Sequence, residues 1–441
     1  MRAASLARYL PEEGIRLDVL TTRNASAVGT DCDLLSRIPK EVTVHRTLTF
    51  DLPFGIRKRL KRFINYAGSG RSDANAAAGT GSGCKPGFIK QLLLNILWPD
   101  PQVAWLPVLG WVARRIVRKR NIDLVLITAP PFSTILIVEK LRKAFPHLAI
   151  VVDFRDEWLS TTFDLVSFAF NNSKEHRTRA CKAEANAIHH ATAVVAVTEA
   201  ARREIRSRYP QECDNKFCLI PNGFDAAQLR IPVSTPAPRE DGKILVTYVG
   251  TVYASTEPTA LSEAFQSLPN EVKTRFRLRF IGHIEEPRFR EALQRLGEMV
   301  ELKGYLPQRH ALAALEETDY VLLISHDPLN VGGKFYDYIG SGKPILGAIH
   351  PMGETRRLLE ELRAGWWAPD DDVDRIRRLF LDAAVRGASL MAAFHPDEAK
   401  IALFERKVLA QRYAVLLHSI ANGATTRAQQ INAARTDAQP C

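Results

Sequence analysis

The sequence predicts an α/β protein built from two doubly wound, parallel-sheet domains that face a cleft. From Val103 onward, short apolar runs with strand character alternate with helical patterns, as in a parallel sheet covered on both faces. The alternation breaks at LIPNGFD (Leu219–Asp225) and the Pro-rich run behind it, then resumes. The second half also carries VGGKFYDYIGSGKPILGAIH (Val331–His350), a glycine turn opening a short helix, followed by a second glycine turn and an apolar strand. Ligands of doubly wound sheets bind beside such turns, at the carboxyl ends of the strands.

A chain of 441 residues exceeds one ordinary core. With 46% apolar and 25% charged residues it is globular for most of its length. The net charge of +11 demands a basic surface, which suits polyphosphate ligands, anionic membrane or nucleic acid. Nucleic acid is not expected, because basic and aromatic residues do not interleave as in the recognition modules. The six cysteines show no C-x-x-C spacing, which points to neither a zinc site nor a disulfide framework and implies a reducing, cytoplasmic setting. The opening MRAASLARYLPEEG lacks the apolar core of a secretion signal. The most apolar window, Ile122–Leu141, is interrupted by Asp123, Pro130 and Pro131, so it reads as strand, turn and helix, not as a membrane span.

In chain order, Ala3, Leu6, Ala7 and Leu10 share a helix face, Gly14 ends it, and Ile15, Leu17 and Val19 alternate as a strand. A doubly wound domain places a strand and a ligand-binding turn before such a helix, so the sequence reads as starting one element late, and a misplaced start is expected. A strand near Val42–Arg46 leads into GIRKRLKRFINY, where Ile56, Leu60, Phe63 and Ile64 share a face and five residues are cationic. This segment, residues 56–66, suits an anionic membrane surface and equally a helix with a solvated face. Ala67–Gly83, with 13 of 17 residues Gly, Ala or Ser, should be a flexible loop. Then come a helix to Arg120, a strand Leu124–Ile127, a Pro-Pro turn, a helix capped by Ser133, and strands Ala149–Val152 and Val194–Val197. The second half supplies strands near Ile244–Val249, Arg277–Ile281, Val300–Lys303, Tyr320–Ile324 and Pro344–Leu346. The domains expected are 1–220 and 221–400. A helix over 401–420 packs back on the first domain, and 421–441 is a disordered tail.

In the glycine turn, Gly332 and Gly333 let the backbone approach a ligand closely and adopt positive φ. The helix N-terminus behind them favours a phosphate, and Lys334 adds a mobile charge. Asp337, one turn along, suits a sugar diol. A helix start with a solvated Lys and Asp fits the same residues. His283 and His326 lie at strand ends, within reach of a ligand, and neither is assigned as a base. Asp153, Arg155 and Asp156 follow a buried strand and suit ligand binding or proton handling, with Asp156 the candidate catalytic carboxylate. They equally suit a carboxylate and guanidinium that fix the turn.

With these residues in place, the chain resembles the family 4 glycosyltransferases, which have the GT-B fold of two Rossmann-like domains. The resemblance rests on IPNGFD, YVGT (Tyr248–Thr251), KGYLP (Lys303–Pro307) and GGKFYDYIGSGKPIL. In the first half APPFS (Ala129–Ser133), DFRDEW (Asp153–Trp158) and VAVTEA (Val195–Ala200) resemble a branch acting on cell-surface polysaccharides. It implies transfer of a hexosyl or N-acetylhexosaminyl group, with retention, from a nucleotide-sugar donor to a glycan or lipid-linked acceptor, at the cytoplasmic membrane face, without metal or cofactor. It matches Lys334 to the diphosphate lysine and Asp337 to the ribose carboxylate. It places Gly250, Thr251, His283, Tyr305, Leu306, Gly332 and Gly333 around the donor. The family's first glutamate falls on Leu329, which cannot hydrogen-bond a sugar hydroxyl, so that bond is absent or supplied by Asn330. Thr251–Glu257 lacks the usual basic residues. A sugar-nucleotide epimerase of the same fold and a non-catalytic nucleotide-sugar binder remain the alternative readings.

Overall fold

The computed structural model describes residues 2–23, 35–49, 95–160, 173–229, 242–253, 256 and 258–436, the side chains of 424–436 excepted. The basic segment 56–66 and the Gly/Ala/Ser run 67–83 lie outside the described residues.

Helix α1 (Arg2–Tyr9) leads to β1 (Asp18–Thr22), which pairs parallel with β2 (Thr43–Thr47). A 3-10 turn over Pro101–Trp105 runs into α2 (Leu106–Arg120), followed by β3 (Leu124–Ala129), α3 (Val138–Ala144) and β4 (Ala149–Phe154). Then come α4 (Lys174–His190), β5 (Ala193–Ala196), α5 (Glu199–Arg208) and the short β6 (Phe217–Leu219). Strands β3 to β6 form one sheet in sequence order. Every residue of β4 and β5 is buried, which explains why they read as unbroken apolar runs without alternation.

The second half contributes β7 (Ile244–Val249), α6 (Thr259–Ser267), α7 (Asn270–Lys273), β8 (Phe276–Ile281), α8 (Pro287–Arg295) and β9 (Val300–Gly304). It continues with α9 (Gln308–Ala313), β10 (Tyr320–Ser325), α10 (Gly333–Gly340), β11 (Ile345–Ile349), α11 (Glu354–Glu361), β12 (Gly365–Pro369) and α12 (Val373–Ala393). Helices α13 (Glu398–Ala402) and α14 (Arg406–Thr436) close it. Its six-stranded, all-parallel sheet has the order β12-β11-β10-β7-β8-β9. The order reverses between β10 and β7, and such a switch point opens a crevice at the carboxyl ends of those two strands. Aromatic and aliphatic side chains fill both faces, Phe265, Phe276 and Phe380 on one and Phe335, Tyr336 and Leu359 on the other.

By internal contacts the chain divides into two units that are not the contiguous halves expected. One comprises Met1–Tyr9, Ala196–Ser207 and Leu219–Tyr413; the other comprises Leu10–Val195, Arg208–Cys218 and Ala414–Cys441. The first residues join the later half because Arg2 donates to the carbonyls of Ile220 and Pro221 and to the Tyr413 hydroxyl, while Tyr9 and Arg8 bind Asp225. Two further expectations need correction. Ser133 caps no helix: a 3-10 stretch begins at Phe132, and the Ser133 hydroxyl and amide both donate to buried Asp100, at 2.8 Å each. The stretch from 421 is not a disordered tail as far as Thr436, because α14 continues through it. Its alanines favour helix over the disorder that its small polar composition suggested. No helix among the described residues is long and apolar enough to cross a membrane.

Beneath β4, the buried Glu157 and Glu184 share one cation, Arg208. Tyr209 donates to the same Glu184 oxygen, and the second Glu184 oxygen is buried without a partner. Burial, only partly countered by Arg208, pushes the Glu184 carboxyl up to about 7. Because the folded state holds this proton above the usual carboxylate range, stability contributed by the group falls as pH rises from about 4.5 to about 7. Glu184→Gln should flatten that part of a urea-unfolding profile, whereas Arg208→Met, which strands two buried carboxylates, should cost about 3–5 kcal/mol at neutral pH.

Candidate functional site

The switch point between β7 and β10 assembles several of the expected residues. Gly250 (φ +127°) directly follows β7 and Gly282 (φ +134°) directly follows β8, conformations that residues with a Cβ rarely adopt. A Cβ on Gly282 would lie 2.2 Å from the Gly250 carbonyl oxygen, so the two strand ends pass in backbone contact. Behind them Val252 donates to the His283 carbonyl (2.8 Å) and Glu285 donates to the Val252 carbonyl (2.8 Å), which holds the two loops as a small bridge.

Helix α10 is fastened to the end of β7 by two of its residues. The Val249 amide donates to the Tyr338 hydroxyl (2.8 Å), and the Lys334 ammonium donates to the Tyr248 hydroxyl while lying 4.3 Å from the centre of that ring. Tyr248 in turn donates to the Thr251 carbonyl (3.1 Å). Lys334 is thereby held over Gly250, where a Cβ would sit 3.5 Å from its ammonium nitrogen. Tyr248 and Tyr338 lie within the quoted motifs YVGT and GGKFYDYIGSGKPIL, but the sequence assigned neither a role. The available signal was a tyrosine inside the buried strand ILVTYV, whose hydroxyl needs a partner.

Gly332 and Gly333 face open space: a Cβ on either would meet nothing within 4 Å. Neither takes a positive φ, however, and Gly332 has φ −61°. Their contribution is room, not backbone freedom. Asp337, one turn after Lys334, is half-buried, and burial together with Asp225 pushes its carboxyl up to about 6 against the opposing pull of Arg406. His283 and Tyr305 lie exposed at the ends of β8 and β9 with rings stacked at 5.9 Å and 11°, and Leu306 is half-buried beside them.

Other candidates are engaged elsewhere. Asn330 donates to Asp327, which also accepts from the Leu329 and Asn330 amides, and the Leu329 carbonyl accepts from Thr198 (2.6 Å). This folds the Leu329 turn upon itself and leaves Asn330 a poor substitute for a missing glutamate. His326 pairs with buried Asp370. In the other unit Asp153 is fully buried on β4, and Arg155 donates to the Pro130 carbonyl and, through its amide, to that of Ala129. Only Asp156 of that trio is exposed. Among the described residues no group of three His, Cys, Asp or Glu is placed to hold a metal ion.

Comparison with known proteins agrees with this architecture. Residues 76–228 match the model of Glycosyltransferase Family 4. No match was found among curated proteins. Over 95% of this chain and 95% of its own, Anabaena HepE, crystallised with UDP and glucose, superposes with a TM-score of 0.60 at 15% identity. Sucrose-phosphate synthase from Thermosynechococcus elongatus gives 0.65 at 13% identity over 95% and 92%. The α,α-trehalose 6-phosphate synthase of Burkholderia multivorans gives 0.60 at 13% over 93% and 98%. The fold is therefore that of the GT-B glycosyltransferases, and the motif resemblance to family 4 is matched independently over residues 76–228.

The two glycine pairs should separate by substitution. Gly282→Ala, with its positive φ and backbone clash, should lose roughly 2 kcal/mol or more in urea unfolding, whereas Gly333→Ala should be near neutral.

Proposed function

We propose that the protein is a retaining glycosyltransferase that moves a sugar from a nucleoside-diphosphate sugar to a glycan or lipid-linked acceptor in cell-envelope synthesis at the cytoplasmic membrane face. The observation that carries this reading is the Lys334 ammonium held over Gly250 at the sheet's switch point. There a leaving diphosphate would meet a fixed positive charge, which is the form of catalysis that needs least rearrangement during reaction. Asp337 would accept the ribose hydroxyls, the exposed stack of His283 and Tyr305 would border the base, and Gly250, Thr251, Leu306, Gly332 and Gly333 would line the donor. On the acceptor side Asp156, exposed beside the fixed Asp153 and Arg155, is the candidate for contact or proton transfer. The chemistry we propose needs no metal or cofactor, with hexosyl or N-acetylhexosaminyl donors as substrates.

A second reading, a nucleotide-sugar binder without transfer activity, is favoured by Leu329 and by the engagement of Asn330 with Asp327. UDP, the ligand held by HepE, serves as the probe. Calorimetric UDP binding together with transfer of label from a panel of UDP-sugars to cell-envelope lipid supports the enzyme; UDP binding without transfer or donor hydrolysis supports the binder, and absence of UDP binding removes both for this nucleotide.

Lys334→Ala should lower transfer by about a hundredfold or more with an unchanged thermal melt. Asp337→Asn should weaken UDP binding by about 1 to 3 kcal/mol at pH 7.5, where the native carboxyl is ionised. As pH falls through about 6 the native protein should lose this advantage through protonation, so that the two affinities converge in a pH titration.

A further inference from the structure

Helix α2 buries Leu109, Gly110, Ala113 and Val117 along one side. At about 100° per residue, Pro107, Arg114, Arg115, Arg118 and Lys119 fall within roughly 80° of Trp111, which points away from the buried side, and all six are exposed. Trp111 is 60% exposed, with the Arg115 guanidinium 5.7 Å from the centre of its ring. Arg118 lies over Phe145 at 6.0 Å, and Arg114 donates to the Gly110 carbonyl of its own helix. Among the described residues none of these four cations forms an ion pair. Arg120, in contrast, turns to Asp18, while exposed Arg16 donates to the Arg120 carbonyl and extends the positive surface past the helix end. Exposed Asp123 is the next acid along the chain, beyond the helix.

This face works against the isolated helix. Arg114 and Arg118, and Arg115 and Lys119, are like-charged pairs one turn apart, which repel. An indole at their centre leaves apolar area in water. Both features become favourable against a layer that offers phosphates to the cations and, immediately beneath, an apolar boundary for the ring, the position tryptophan prefers in membranes. A nucleic-acid duplex would accept the cations but gives an indole on a convex helix nothing to stack on without unpaired bases. We propose that the exposed face of α2 is a docking surface for an anionic phospholipid bilayer, with Trp111 at headgroup depth and Arg114, Arg115, Arg118 and Lys119 on lipid phosphates. The surface is separate from the Lys334 site and does not depend on the reaction proposed there.

The test is sedimentation of the full chain with phosphatidylglycerol-containing and with pure phosphatidylcholine vesicles, at low and high salt. Wild type should bind only the anionic vesicles and release in high salt. Each cation near an anionic surface contributes about fivefold in partitioning. Combined Arg114→Gln, Arg115→Gln, Arg118→Gln and Lys119→Gln should therefore reduce binding several hundredfold. Trp111→Ser should reduce it while leaving the salt dependence intact, and both variants should keep the wild-type melt because these side chains are exposed and form no ion pair among the described residues. Replacing Arg57, Lys58, Arg59, Lys61 and Arg62 by Gln should leave most of the binding. The proposal is overturned if wild type ignores anionic vesicles at low salt, if the α2 variants bind as wild type does, if binding follows residues 57–62 alone, or if a duplex DNA probe binds through these residues and vesicles do not.

Discussion

Everything at the switch point of the six-stranded sheet depends on the contact between the ends of β7 and β8. With Gly282 against the Gly250 carbonyl there is no room for a Cβ, and the two loops leave the sheet as one bridged ledge. That ledge gives α10 something rigid to fasten to. Tyr338 holds the Val249 amide and Tyr248 holds Lys334, so one strand end fixes both the helix and the charge it presents. A lysine left free would sample many rotamers, and part of any attraction for a phosphate would be lost in ordering it. Seated on a buried tyrosine, it keeps its position before a ligand arrives.

The central parallel strands were legible because they are buried on both faces. ILVTYV, VLLI and PILGAI stand out as apolar runs; β7 falls where it was expected and β10 ends one residue later, whereas β11 runs three residues past the expected Leu346. β12 escaped because GWWAP has no such run and is bounded by the acidic turn after Asp370. The short β6 escaped for lack of length. Ser133 illustrates a different limit. Its residue type suits a helix cap, and only the tertiary position of Asp100, 33 residues away, redirects its hydroxyl. Lys334 and Gly250 were legible as site candidates, but only the family resemblance put them around one ligand, because sequence spacing holds no information on which strands become neighbours across a switch point.

The DFRDEW residues show the same limit with an opposite outcome. DFRDEW places several polar groups in succession, which suggests a reactive surface. The fold turns most of them inward: Asp153 is enclosed in the sheet, Arg155 holds the Pro130 carbonyl, and Glu157 joins Glu184 around Arg208. A charged motif after a buried strand can thus be largely scaffold, with Asp156 its exposed member.

The interleaving of the two units has a consequence for any attempt to dissect the molecule. The chain passes from one unit to the other at residues 9/10, 195/196, 207/208, 218/219 and 413/414. A cut near residue 220 would separate Arg2 from Pro221 and Tyr413, and Tyr9 from Asp225, and would leave the Asp225 carboxylate without either of its aromatic and cationic neighbours. Contiguous halves expressed apart would each carry a strip of the other's surface and lack one of its own. Complementation of two co-expressed pieces, in which the strips can find their places, is the form of fragment work this topology permits.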